Sequence, residues 1–207
     1  MVGETITQTK LLLVEGRDEE NFFAALIKHL GISGIQIVGA GGERQFKQRL
    51  AVITSTSGFR EVTAIGVVRD ADEDREKAFE SVCSRLRDAG LSVPKEPMVF
   101  SDGGRKTIVM IMPPQEVGTN RMLEDVCLES VKGDPATRCV QGYFACLEEE
   151  SITHEANAIA KAKLHVFLAF REQPDLRLGE AAQKGYWPWD DPAFDKVKDF
   201  LQQLASD

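Results

Sequence analysis

The chain has 207 residues, a net charge of −8 and a hydrophobic fraction of 43%. That is enough apolar material for one domain-sized core, with or without a helical appendage, while the acidity argues against a protein that coats nucleic acid by charge alone. No apolar run nears the roughly 18 residues of a membrane span, and Met1–Thr9 lacks the basic start and apolar stretch of a signal peptide, so a cytoplasmic location is expected.

The first half alternates strand and helix. Lys10–Val14 is a short apolar run ending at Glu15-Gly16. Asp18 is placed to cap a helix with Phe22, Phe23, Leu26, Ile27 and Leu30 on one face, and Gly31 ends it. Ile35–Val38 reads as a second strand, followed by Gly39-Ala40-Gly41-Gly42 and a helix to about Thr54. Val62–Val68 is a third strand that runs into Arg69-Asp70-Ala71-Asp72; the helix after it presents Phe79, Val82, Cys83 and Leu86 and stops at Gly90. This rhythm, with strands apolar throughout, predicts an α/β fold: a mainly parallel sheet buried on both faces by helices. Asp102-Gly103-Gly104 predicts a hairpin between Met98–Phe100 and Thr107–Met112.

The second half is helical. Leu123, Val126 and Cys127 begin one helix, and Asp134-Pro135 opens another that presents Cys139, Val140, Tyr143, Phe144 and Leu147. A third spans about Thr153–Phe170, with Ala156, Ile159, Ala160, Leu164 and Phe167 inward, and Asp191-Pro192 opens the last. The expected division is residues 1–115 for the α/β unit and 116–207 for a helical extension packed on it. Cys83, Cys127, Cys139 and Cys146 have no CxxC spacing and sit in apolar helical patterns, so buried thiols are expected. Tyr143, Tyr186, Trp187 and Trp189 read as packing residues.

Strand C-termini of a parallel sheet share one edge, where ligands collect. Glu15 ends the first strand and Asp70 the third, with Asp72 two residues on. Two carboxylates about 4 Å apart repel by about 4 kcal/mol at an effective dielectric near 20, so the cluster calls for protons, cationic side chains or a metal. Oxygen-only ligands suit Mg²⁺, with Mn²⁺ as a substitute. Asp72, Glu73 and Asp74 also suit the N-terminus of the following helix.

LLLVEGRDEENFF followed by AIGVVRDADED resembles the TOPRIM domain of topoisomerases, primases, ribosomal RNA maturases and overcoming-lysogenization-defect (OLD) nucleases. The likeness covers about Lys10–Met112, and with the tail GYWPWDDPAFDKVKDFL the whole chain resembles short standalone TOPRIM proteins of unknown function. The resemblance implies that Asp70 and Asp72 hold metal and that Glu15 binds metal or handles protons. Arg121-Met122-Leu123-Glu124-Asp125 resembles an acidic segment that some OLD-type nucleases use for a second metal, which brings in Glu124. Asp74 joins the candidate ligands by nearness, beside its reading as a cap.

Rival motifs fail on chemistry. Gly39-Ala40-Gly41-Gly42 begins like GxGxxG, but Arg44 stands where the third glycine belongs. Asp70-x-Asp72-x-Asp74 begins like a calcium loop, but Arg75 replaces its glycine. The expected function is Mg²⁺-dependent phosphodiester chemistry on nucleic acid, a nuclease, with Arg17, Arg69 and Lys106 as candidates to stabilise developing charge. The alternative is a non-catalytic module that binds nucleotide or a partner protein. The net acidity and the lack of an evident basic groove favour this alternative, in which a partner ATPase supplies DNA engagement.

Overall fold

The computed structural model describes residues 5–72, 74–114 and 122–206, without the side chains of residues 43 and 44. Among them β1 (Lys10–Val14), β2 (Ile35–Gly39), β3 (Ala64–Asp70) and β4 (Lys106–Met112) form one sheet in the order β2-β1-β3-β4. Every pairing is parallel, with Leu13 opposite both Val38 and Val67.

Side chains alternate across a strand, and both faces of this sheet are covered. Leu12 and Val14 point into a core shared with α1 (Arg17–His29), α4 (Leu123–Ser130), α5 (Pro135–Glu149), α6 (Ala156–Ala169), α7 (Leu178–Gln183) and α8 (Asp195–Ser206). Leu11 and Leu13 point into the opposite core, under α2 (Glu43–Ser55) and α3 (Arg75–Asp88). Two-sided burial is why β1 is apolar at every position from Leu11 to Val14. The helical second half thus packs on the same sheet face as α1. Phe200 and Leu204 of α8 come so close to Gly66 that a Cβ there would lie 2.8 Å from a Leu204 methyl. Trp187 and Trp189 are buried; Trp189 packs on Phe22 and Phe194, and Trp187 donates its indole N–H to the Leu178 carbonyl at 3.2 Å. No helix among the described residues is long and apolar enough to cross a membrane.

Several local expectations need correction. There is no hairpin: β4 pairs in parallel with β3, and Met98–Phe100 is not a strand. Met98 sits at φ +65°, which breaks an extended run. The segment and the residue after it reach β4 through backbone bonds from Met98 N–H to Val109 and from Ser101 N–H to Thr107, both 2.8 Å. The cap of α1 is Gly16 rather than Asp18, whose carboxylate accepts instead from the Gly179 amide at 3.3 Å. Helix α7 has no counterpart in the sequence reading, being too short to show a period. Cys83 and Cys127 are buried, but Cys139 and Cys146 are exposed, as are Tyr143 and Ala156. Only one side of α5, around Thr137 and Val140, is buried, and Phe144 and Leu147 are half-buried.

Candidate functional site

The chain leaves β1 for β2 on one side and β3 for β4 on the other, with α1 and α3 on opposite faces. A crevice opens where such connections diverge, at the C-terminal ends of β1 and β3. Glu15 follows β1 at this point and Asp70 closes β3.

Asp70 has the strand parity of Gly66 and Val68, so its side chain faces α1 and α4. Its Oδ1 accepts the Leu123 amide at the start of α4, at 3.2 Å. Burial raises its carboxyl well above the ordinary 3.8, and the negative charges of Glu124, Glu15, Glu19 and Asp72 push it the same way. Glu19, in the first turn of α1, accepts the Gly16 amide at 2.9 Å. Burial raises its carboxyl too, and Glu124 adds to the shift. Burial also raises Glu124, with Lys161 of α6 pulling in the opposite direction. Carboxylates from β1, α1, β3 and α4 therefore sense one another around Asp70.

Arg69 is the cation on the outer side. Its guanidinium meets Glu15 at 3.3 Å and Asp72 at 3.0 Å, with a side chain only 11% exposed. Asp72 adopts φ +50°, a left-handed conformation that Asp tolerates better than most residues. An open cleft of about 690 Å³ continues from Arg69 and Asp72, between α3 and α6, past Lys77, Ser81 and Asn157.

Arg69 bridges Glu15 and Asp72, and the charges of Glu15, Asp72 and Glu124 all act on Asp70. Asp74 is committed to capping α3: it accepts the Lys77 amide at 3.0 Å and pairs with the Lys77 ammonium at 3.1 Å. Arg121 and Glu73 lie outside the described residues. Of the other cations considered, Arg17 pairs with Glu20 at 3.2 Å on the surface. Lys106 opens β4 at the opposite edge of the sheet, its ammonium 5.7 Å from the Phe100 ring centre. Glu19 was missed by sequence reading. Its signal is the Gly-x-x-Glu spacing after β1, which also describes an ordinary reciprocal cap.

Among the described residues no three His, Cys, Asp or Glu side chains close into a ready-made metal cage. Arg69 pairs with Glu15 and Asp72 instead, and the Leu123 amide donates to Asp70. The donor chemistry nevertheless fits a hard divalent cation: the groups are all carboxylates, like-charged and partly desolvated.

The model of a family described as "Protein of unknown function (DUF3226)" matches residues 9–206. A search of the curated proteins finds no match. Among solved structures, the chain is similar to the C-terminal region of the OLD protein of Xanthomonas campestris pv. campestris. The mercury-phased structure gives a TM-score of 0.50 at 15% identity over 96% of this chain and 95% of that one. The platinum-phased structure gives 0.49 at 14% identity over 96% and 93%. At 15% identity the likeness to the mercury-phased structure is one of fold.

Proposed function

We propose that this chain, which belongs to the DUF3226 family of proteins of unknown function, carries a TOPRIM-type Mg²⁺ centre and hydrolyses nucleic-acid phosphodiesters. The gathering of carboxylates around Asp70 at the sheet's switch point carries the reading. Mutual repulsion and desolvation make such a cluster costly unless a cation shares it.

Glu15, Asp70 and Asp72 would hold the ion, with Glu19 and Glu124 the next oxygens inward and Mn²⁺ able to replace Mg²⁺. When bound, the ion supplies a Lewis acid for a phosphate oxygen and lowers the pKa of its water. Glu15, with a side chain 29% exposed, is open enough to take a proton from an attacking water. Arg69 orients Glu15 and Asp72 toward each other and offsets part of their charge. The cleft past Lys77, Ser81 and Asn157 gives a nucleic-acid strand room beside Asp72, with Lys77 supplying phosphate attraction. A net charge of −8 leaves little long-range attraction, which favours engagement of nucleic acid through a partner ATPase.

The test is cleavage of labelled single- and double-stranded DNA and RNA in Mg²⁺ or Mn²⁺ against chelator, with Asp70→Asn as control. Metal-dependent scission lost in Asp70→Asn is expected. Scission that persists in chelator, or in Asp70→Asn, would overturn the assignment. Metal-dependent stabilisation without scission would leave a non-catalytic metal-binding module.

A further inference from the structure

Helix α5 carries a second apolar surface that the described residues leave exposed. Cys139, Gly142, Tyr143 and Cys146 recur at helical spacing along one stripe. That stripe lies to the side of the face that buries Thr137 and Val140. Cys139 and Cys146 are exposed and Tyr143 is 52% exposed. Gly142 is informative here. A mid-helix glycine costs about 0.5–1 kcal/mol against alanine, yet a Cβ at Gly142 would meet nothing within 4 Å. No neighbour among the described residues requires the missing side chain, whereas a surface that approaches the helix from outside would.

We infer that α5 is where two copies of this chain pair, helix against helix and antiparallel. The charges select both the occupant and the direction. Arg138 and Glu149 flank the stripe on the same side, eleven residues apart, at opposite ends of the 15-residue helix. In an antiparallel pair each flank faces the same flank of the other copy, so Arg138 meets the second copy's Glu149, twice. Glu150 then lies toward the other helix's N-terminus, where its dipole favours an acid. A parallel pair would instead set the two Glu148-Glu149-Glu150 runs side by side. With the two-fold axis between positions 142 and 143, Tyr143 of each copy rests on Gly142 of the other. Cys139 of each copy then stands opposite Cys146 of the other. One helix of about 22 Å offers a contact at the small end of the range, so association is roughly micromolar or weaker.

Sedimentation velocity over a concentration series, in reducing buffer, tests this. The wild type should shift from monomer to dimer, and Tyr143→Glu should weaken the dimer at least tenfold. Gly142→Gln should also weaken it while raising the monomer's melting temperature, an opposition that a folding defect cannot produce. Arg138→Glu should weaken pairing, and Arg138→Glu with Glu149→Arg should restore it. Diamide, taking two electrons and two protons per disulfide formed, should link the wild type into a covalent dimer. Cys139→Ser and Cys146→Ser should each abolish the link. A wild type that stays monomeric to several hundred micromolar overturns the proposal. So does a dimer that the Tyr143 and charge-reversal variants leave unchanged.

Discussion

Asp70 accepts the Leu123 backbone N–H at 3.2 Å, which ties the end of β3 to the first turn of α4 across 53 residues of chain. One carboxylate thus has two effects of opposite sign: it caps a helix and it adds charge to a crowded cluster.

Substitution at Asp70 separates these effects. Asp70→Asn keeps the Oδ1 acceptor and removes the charge, so in chelator it should raise the melting temperature. In a chain of this size each kcal/mol relieved is worth about 2–4 °C. Asp70→Ala also removes the acceptor and leaves the Leu123 N–H unpaired, at a cost of about 1–3 kcal/mol. Differential scanning calorimetry should rank Asn above wild type and Ala below Asn. An Asn variant less stable than wild type would mean that repulsion does not dominate at Asp70.

The acids of this cluster set an unusual pH dependence. Asp70, Glu19 and Glu124 all have carboxyls raised in the fold, chiefly by burial, above ordinary values of 3.8 and 4.5. Between the ordinary and raised values the native state binds more protons than the unfolded chain. Stability therefore falls as pH rises through that window. Asp134 behaves oppositely: the Arg171 guanidinium at 2.7 Å and the Ala136 amide hold its carboxyl below 3.8. Its contribution is present above 3.8 and is lost as pH falls through the lowered value. In chelator the melting temperature should rise on acidification from neutral pH toward the ordinary carboxylate range. Asp70→Asn should flatten that rise. A melting temperature that falls steadily over this range would contradict it.

Divalent metal should act on the same charges. Binding to the folded state alone stabilises by RT ln(1 + [L]/Kd), about 2.7 kcal/mol at a hundredfold excess over Kd, or roughly 5–10 °C here. Mg²⁺ should raise the melting temperature in a saturable way, Mn²⁺ at lower concentration, and Asp70→Asn should lose the response. Equal responses in wild type and variant would place the ion elsewhere.

Two glycines should resist enlargement because of close approach rather than turn geometry. A Cβ at Gly66 would press on Leu204 and Phe200, and Gly66→Ala should cost about 1–3 kcal/mol. At Gly179 it would lie 2.3 Å from the Asp18 carbonyl, and backbone cannot rotate aside. Gly179→Ala should cost at least as much and displace α7 from α1. Urea unfolding at constant m-value measures both.

The sheet and its acidic edge were legible in the sequence because both depend on short-range pattern. Leu11–Val14 and Ala64–Val68 are apolar at both parities, which only strands covered on two faces need to be. A carboxylate that ends or closely follows such a strand lies near the sheet's C-terminal edge, which is where the pattern puts Glu15, Asp70 and Asp72. Glu19 could not be placed in this way. Locally it is an acid in a helix's first turn, and only the docking of α4 lets the charge of Glu124 act on it. Asp102-Gly103-Gly104 promises a reversal of the chain, but the partner of β4 was decided by its register with β3, a pairing of segments some 40 residues apart. The exposure of Cys139, Tyr143 and Cys146 was equally out of reach. Periodicity reveals that a helix has an apolar stripe, whereas only the packed fold decides whether the same chain covers it.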